Sequence, residues 1–214
     1  MIFTKALNFL FPPYCKICGK NGGKELCDNC YLRLKQFEDV HIIRLKKRNL
    51  DNLIYFFKYE GNIRNLILSF KFFNKYYLGK VFSKIMLKNE KLCGNLKFYD
   101  IIIPVPMHKI KKCERGYNQA ELLAKDLAEN LKLCYDKNIL IKTVNNKKQS
   151  SLSGRERYEN IKNVFKVQKM DKIKNKNIIL VDDICTTSAT LEECAKILKQ
   201  AGAKKVTGLV IAKD

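Results

Sequence analysis

The run Ile178-Ile179-Leu180-Val181-Asp182-Asp183-Ile184-Cys185-Thr186-Thr187-Ser188-Ala189-Thr190 constrains the fold of this chain more than any other stretch. Its consecutive aliphatic residues suit a strand buried on both faces, the situation of a parallel sheet flanked by helices. Two adjacent carboxylates then emerge at the strand's carboxyl end, where open α/β sheets bind their ligands. The small residues Thr186, Thr187, Ser188, Ala189 and Thr190 predict a turn whose backbone N–H groups and hydroxyls stand at the start of a helix, which suits an anion. Carboxylates beside a phosphate cradle fit a ligand that offers sugar hydroxyls, or a magnesium ion, next to a phosphate. The reading is a site for a ribose 5-phosphate group; the plain alternative is a buried strand followed by a Ser/Thr helix cap.

A second strand, Asp100-Ile101-Ile102-Ile103-Pro104-Val105-Pro106-Met107-His108, is stopped by its prolines. A basic loop from Lys109 to Arg115 leads to Gly116-Tyr117-Asn118-Gln119, and Ala120 to Leu131 carries Leu122, Leu123, Leu127 and Leu131 at helical spacing. Strand, rigid turn, cations and helix together offer N–H groups and positive charge to a second anion. His108 is either a general acid or base at that anion or a bystander. Farther on, Lys147 to Arg157 is polar, basic and turn-rich. Arg155 and Arg157 either touch the ligand or lie on the solvated face of a short helix capped by Ser153.

Near the N-terminus, Cys15-x-x-Cys18 and Cys27-x-x-Cys30 form two thiolate pairs separated by residues 19–26. Two such turns complete a four-sulfur tetrahedral site, and Gly19 suits the turn after the first pair. Structural zinc is the reading, with an iron–sulfur or redox site as the alternatives. A closed four-cysteine site keeps no open position for catalysis. The remaining cysteines show no ligand spacing; Cys134 and Cys194 are expected on helices.

Between these motifs, Leu53 to Tyr59 reads as a strand, and Gly61 to Phe72 and Tyr77 to Leu87 as helices. Their aromatics recur at helical periods and are expected in the core rather than on a base-stacking platform. The chain has 42 Lys+Arg against 21 Asp+Glu, a formal net charge of +21. Nucleic acid is the first partner such a surface suggests, although lysines spread over every solvated face give the same total. No apolar run approaches the roughly 18 residues of a membrane helix, so the chain is not expected to be transmembrane. Nine cysteines without an export signal point to a reducing, cytoplasmic location.

Residues 178–190 resemble the phosphoribosyl-pyrophosphate (PRPP) motif of type I phosphoribosyltransferases. The resemblance implies that Asp182 and Asp183 contact the ribose as the catalytic pair and that Thr186 to Thr190 wrap the 5-phosphate. It also implies that Val105, Pro106, Met107, His108 and Arg115 receive pyrophosphate, and that magnesium accompanies PRPP. A loop near Arg155 and Arg157 would close over the ligand. At Ser188 the family commonly has glycine, so the serine serves only if it can take up the turn's dihedral angles. More narrowly, Pro104 to His108 and Arg115-Gly116-Tyr117-Asn118-Gln119-Ala120-Glu121-Leu122-Leu123-Ala124 resemble the signature of the ComF (ComFC) competence family. So do Leu10 to Cys15, Gln149, Leu152, Arg155, Arg157, Asn160 and Phe165; the match runs from just before Leu10 to the C-terminus. A further cysteine-rich segment that many members carry before the strand near residue 53 is absent from this sequence.

The resemblance implies an α/β protein with a type I phosphoribosyltransferase-like core, a mostly parallel central sheet and a small N-terminal zinc-binding module. The expected divisions are a module at 1–40, a connecting hood at 41–98 and the core at 99–214, with sheet strands near 100–106, 139–144, 164–167, 177–183 and 206–212. Segment 50–95 is expected to cover the strand ends. The implied function is the handling of incoming single-stranded DNA in natural transformation, behind the membrane channel, with membrane-associated DNA-uptake machinery as a partner. The alternative is an active phosphoribosyltransferase whose small-molecule acceptor the sequence does not mark.

Overall fold

The computed structural model describes residues 14–21, 26–145, 161 and 163–214. The strands β1 (Glu38–Arg44), β2 (Asn52–Lys58), β3 (Ile101–Pro104), β4 (Cys134–Tyr135), β7 (Asn177–Cys185) and β8 (Lys205–Lys213) join in one sheet. Their order is β1-β2-β8-β7-β3-β4, parallel throughout except for the antiparallel edge strand β1. Along β7, side chains alternate between two cores as a period of two requires. Ile179 and Val181 enter one core and Ile178 and Leu180 the other. Each such fully buried aliphatic chain contributes about 1.5–3 kcal/mol relative to exposure, which makes this strand the anchor of the molecule.

The first face is covered by α2 (Gly61–Phe72), α3 (Leu78–Leu87), α4 (Glu90–Leu96) and α6 (Gln119–Leu131). Phe57, Phe70, Phe82, Leu123 and Leu127 pack there, and α1 (Asp28–Lys35) adds Leu34 from the cysteine-bearing segment. The second face is covered by α7 (Ala189–Gln200) through Leu191, Cys194 and Leu198. That helix lies close to the sheet because Gly208 has no side chain: a Cβ there would sit 3.1 Å from Leu191.

The observed elements correct the sequence reading in four places. The stretches 139–144 and 164–167, expected in the central sheet, instead form a separate antiparallel pair, β5 (Leu140–Lys142) and β6 (Phe165–Val167). Leu140 and Phe165 are apolar enough for a central strand, but they pack into the second core from outside the sheet. The strand read at Leu53–Tyr59 does not belong to a hood: β2 lies inside the sheet, parallel to β8. The basic segment before Gly116 is a short helix, α5 (Lys109–Arg115), not a loop. Cys194 is helical and buried as expected, whereas Cys134 is exposed on β4. No helix among the described residues is long and apolar enough to cross a membrane.

Candidate functional site

Strands β3 and β7 lie side by side, yet the helix that follows β3 at a distance, α6, packs on one face and α7 on the other. Divergence of this kind opens a crevice at the strands' carboxyl ends. β3 ends at Pro104, paired with Val181, while β7 continues to Cys185. Asp182 and Asp183 therefore stand where the β3 side of the sheet has fallen away. Being successive strand residues, they point to opposite faces. Asp183 is 8% exposed and pairs with Lys71 of α2 at 3.0 Å. Its backbone N–H donates to Asp182 Oδ1 at 2.8 Å. Burial, together with the neighbouring Asp183 charge, pushes the Asp182 carboxyl up to about 7.

Two cavities meet at this pair. One, of about 580 Å³, is lined by residues 182–191 with Tyr59, Arg64, Lys71 and Asp214. The other, of about 760 Å³, is lined by residues 105–108, Arg115, Asn118, Lys142 and Phe165 among others. Lys71, Asp182, Asp183 and Thr190 belong to both. The structure thus brings together Asp182, Asp183, Thr186 to Thr190, Val105 to His108 and Arg115, as one continuous concavity. Arg155 and Arg157 lie outside the described residues.

The hydroxyl-rich turn opens α7, and its backbone N–H groups present the positive end of a three-turn helix. Ser188 sits there at φ +57°, in the left-handed region that glycine occupies without cost. Serine thus takes up here a backbone conformation that glycine reaches more readily. Its hydroxyl donates to Thr187 O at 2.7 Å and accepts from Arg48 Nη1 at 3.2 Å. Arg48 also lies 3.6 Å from Glu192, whose other oxygen accepts from Asn49 N–H at 3.2 Å. The β1–β2 connection therefore braces the turn from behind.

On the opposite wall, Val105 N–H donates to Val181 O at 2.8 Å, which holds the chain against β7 past Pro104. Buried Asn118 donates to Val105 O at 3.0 Å and caps α6 through Ala120 N–H. His108 caps α5, its Nδ1 accepting from Ile110 N–H at 3.3 Å. Gly116, at φ +82°, ends that helix in a left-handed turn. Arg115 donates to Gln119 Oε1 at 2.9 Å and lies over the Phe72 ring at 5.2 Å. The sequence reading missed three cations: Lys71 beside Asp183, Arg48 behind the turn, and Lys142 of β5. Burial, then the charge of Lys111, brings the Lys142 ammonium down to about 8. Nothing local distinguishes these three from the many other basic residues; only the fold delivers them.

At the other end of the chain, the sulfurs of Cys15, Cys18, Cys27 and Cys30 all lie within 4.8 Å of one another. Cys18 and Cys27 are 3.8 Å apart, against about 3.8 Å for sulfurs on a tetrahedral ion bound at roughly 2.3 Å. Gly19 turns at φ +74° and returns its N–H to Cys15 O, while Cys27 caps α1 through Cys30 N–H. Burial opposes ionisation of Cys15, but N–H donors, led by Cys27, bring its thiol down to about 6. The donor set fits a metal ion.

Residues 115–214 match the phosphoribosyl transferase domain family. Competence protein F of Haemophilus influenzae is 30% identical across 91% of this chain and 82% of its own length. The DNA utilization protein YhgH of Escherichia coli K12 is 26% identical over 90% of this chain and 86% of that protein. Competence protein ComFC of Bacillus subtilis is 28% identical over 88% and 72%. A purine phosphoribosyltransferase from Pyrococcus horikoshii superposes with a TM-score of 0.40 at 15% identity, covering 65% of this chain and 85% of that one, a likeness too slight to carry argument.

Proposed function

The chain belongs to the competence protein F family, and on that premise we propose that it handles incoming single-stranded DNA in the cytoplasm during natural transformation, with a PRPP-binding site in its phosphoribosyltransferase-like domain. The observation that carries the ligand reading is the meeting of two anion-receiving walls at one acidic pair. Asp182 and Asp183 hold the ribose hydroxyls, and residues 186–190 hold the 5-phosphate on the N-terminus of α7. Val105 to His108 and Arg115 receive the pyrophosphate, and Arg155 and Arg157, which lie outside the described residues, are read from the sequence as further ligand contacts. Carboxylate and hydroxyl oxygens fit a hard cation, and magnesium, bound with the ligand, neutralises pyrophosphate charge. Lys71 must give up Asp183 when that complex enters. The four cysteines hold structural zinc, which stabilises the N-terminal module and takes no part in the chemistry.

The same acidic pair supports a second reading, an active phosphoribosyltransferase acting on a small-molecule acceptor. Pyrophosphate would leave through an oxocarbenium-like state while the acceptor takes the ribose carbon. Pyrophosphate release that requires a particular acceptor, rather than slow hydrolysis, would favour it.

The DNA-handling reading is tested by measuring single-strand affinity across a range of salt, with and without PRPP and magnesium. With +21 net charge, affinity is expected to fall steeply as salt rises. Absent or salt-insensitive binding would contradict the reading.

A further inference from the structure

The sequence reading places the aromatics at the end of α2 and beyond it in the core, and the structure buries only part of them. Phe70 is fully buried, but Phe72, Phe73 and Tyr76 are 64%, 68% and 59% exposed. An apolar residue standing alone on a surface needs no explanation, but three rings within five residues do. The segment is also well held. Phe73 N–H donates to Ser69 O, Asn74 takes a left-handed φ of +51°, and Gly79 N–H closes on Tyr76 O. Beneath it, the Tyr117 hydroxyl and Gln119 Nε2 both donate to Phe70 O, which fixes the end of α2 to the α5–α6 wall of the larger cavity.

Cations alternate with these rings. Arg115 lies over Phe72, Lys71 precedes the segment and Lys75 falls between Phe73 and Tyr76 in sequence, and Lys16 reaches over Tyr14 at 3.8 Å and Tyr77 at 5.9 Å. Tyr76 stands edge-on to Tyr77 and to Tyr117. The result is a row of rings and positive charges running from the four-cysteine module past Tyr77 and Tyr76 to Phe72 at the cavity's edge. Among the described residues Phe73 has no ring or cation partner, so its face is open.

We propose that Phe73 and Tyr76, with the cations around them, form a base-stacking platform for single-stranded nucleic acid that leads to the mouth of the ribose-phosphate cavity. Charge complementarity selects the occupant: rings accept bases of any sequence, and interleaved lysines and arginine meet the phosphates between them. The proposal rests on the DNA-handling reading above and gives it a place on the molecule. It also puts the strand beside the ligand, since Phe72 lines the larger cavity and its neighbour Lys71 pairs with Asp183.

The chain contains no tryptophan, so Phe73→Trp introduces a single indole fluorophore at the platform. Titration with an oligothymidylate is expected to quench that emission as the base stacks. The Phe73→Ala, Tyr76→Ala double variant is expected to lose at least about tenfold in oligothymidylate affinity, with the salt slope unchanged because no phosphate contact is removed. Phe73→Trp should retain wild-type affinity. Wild-type affinity in the double variant, with no quenching of the indole emission in Phe73→Trp, would overturn the platform while leaving DNA handling intact. A wild-type protein that binds no oligothymidylate would overturn both. Vesicles of anionic lipid that blue-shift the indole emission, where oligothymidylate does not change it, would assign the rings to a membrane surface and also overturn the proposal.

Discussion

The four-cysteine module and the cavity proposed to take a ribose-phosphate ligand both gather polar groups, but they draw on the chain in opposite ways. The module takes all its donors from residues 15–30, two tight turns apart. The cavity takes its lining from α2, the end of β3, α5, β5, and the β7–α7 turn. A local site stands or falls with its ion, because little apolar surface supports it: Cys15, Cys30 and Leu34 are its buried apolar residues among those described. A distributed site is held by the sheet and survives without its ligand. Metal binding in the first case is therefore folding energy, and ligand binding in the second is not.

The largest effect expected from this contrast is at the module. Cys27→Ser should abolish stoichiometric zinc, about one per chain in the wild type, and expose residues 14–35 to protease. A structural zinc site contributes on the order of 10 kcal/mol of apparent binding energy. PRPP binding should persist in that variant. Elemental analysis with limited proteolysis checks this, and a full metal complement in Cys27→Ser would break the comparison.

A second test uses pH. Burial raises Asp182 from its ordinary value to about 7, so the folded protein binds this proton more tightly than the unfolded chain. The cost of ionising it is absent below about pH 4 and grows as pH rises, until it is complete above about pH 7. Asp182→Asn should therefore stabilise the ligand-free protein at pH 8 by up to about 4 kcal/mol and have little effect at pH 4. Thermal unfolding at the two pH values reads it; equal effects at both would mean that the carboxyl ionises freely in the fold.

Smaller effects are expected at the turn that opens α7. Arg48→Ala removes the bond to Ser188 and the counter-charge near Glu192 at a half-exposed position, and should cost about 1 kcal/mol in chemical denaturation. Ser188→Gly relieves a left-handed serine but frees the unfolded chain, leaving a net gain of about 0.5 kcal/mol. A loss in that variant would mean that the hydroxyl's bonds outweigh the backbone strain.

What the sequence disclosed follows the same division. The turn 182–190 and the cysteine pairs are continuous, so spacing alone placed their donors side by side. The helices expected at 61–72 and 120–131 were legible from hydrophobic period, and the strand expected near 206–212 came with the fold the resemblance implies. The destination of β5 and β6 was not, because short apolar strands look alike whether they enter the main sheet or pair beside it. β2 was read as a strand but assigned to the wrong layer, since its parallel partner β8 lies over 140 residues away. Lys71, Arg48 and Lys142 were invisible for the same reason: their roles depend on tertiary approach, in a chain where basic residues are common. The exposure of Phe72, Phe73 and Tyr76 was hidden by the aromatic run around them, whose helical period belongs to Phe70 and its buried neighbours.

The acidic pair and the two loops are proposed to form a working phosphoribosyl site. Calorimetric titration of PRPP with magnesium into the wild-type protein and into the Asp182→Asn, Asp183→Asn double variant tests it most directly. Saturable binding to the wild type, at one ligand per chain and lost in the variant, is the predicted result. No heat of binding in the wild type, or equal binding by both proteins, would contradict it.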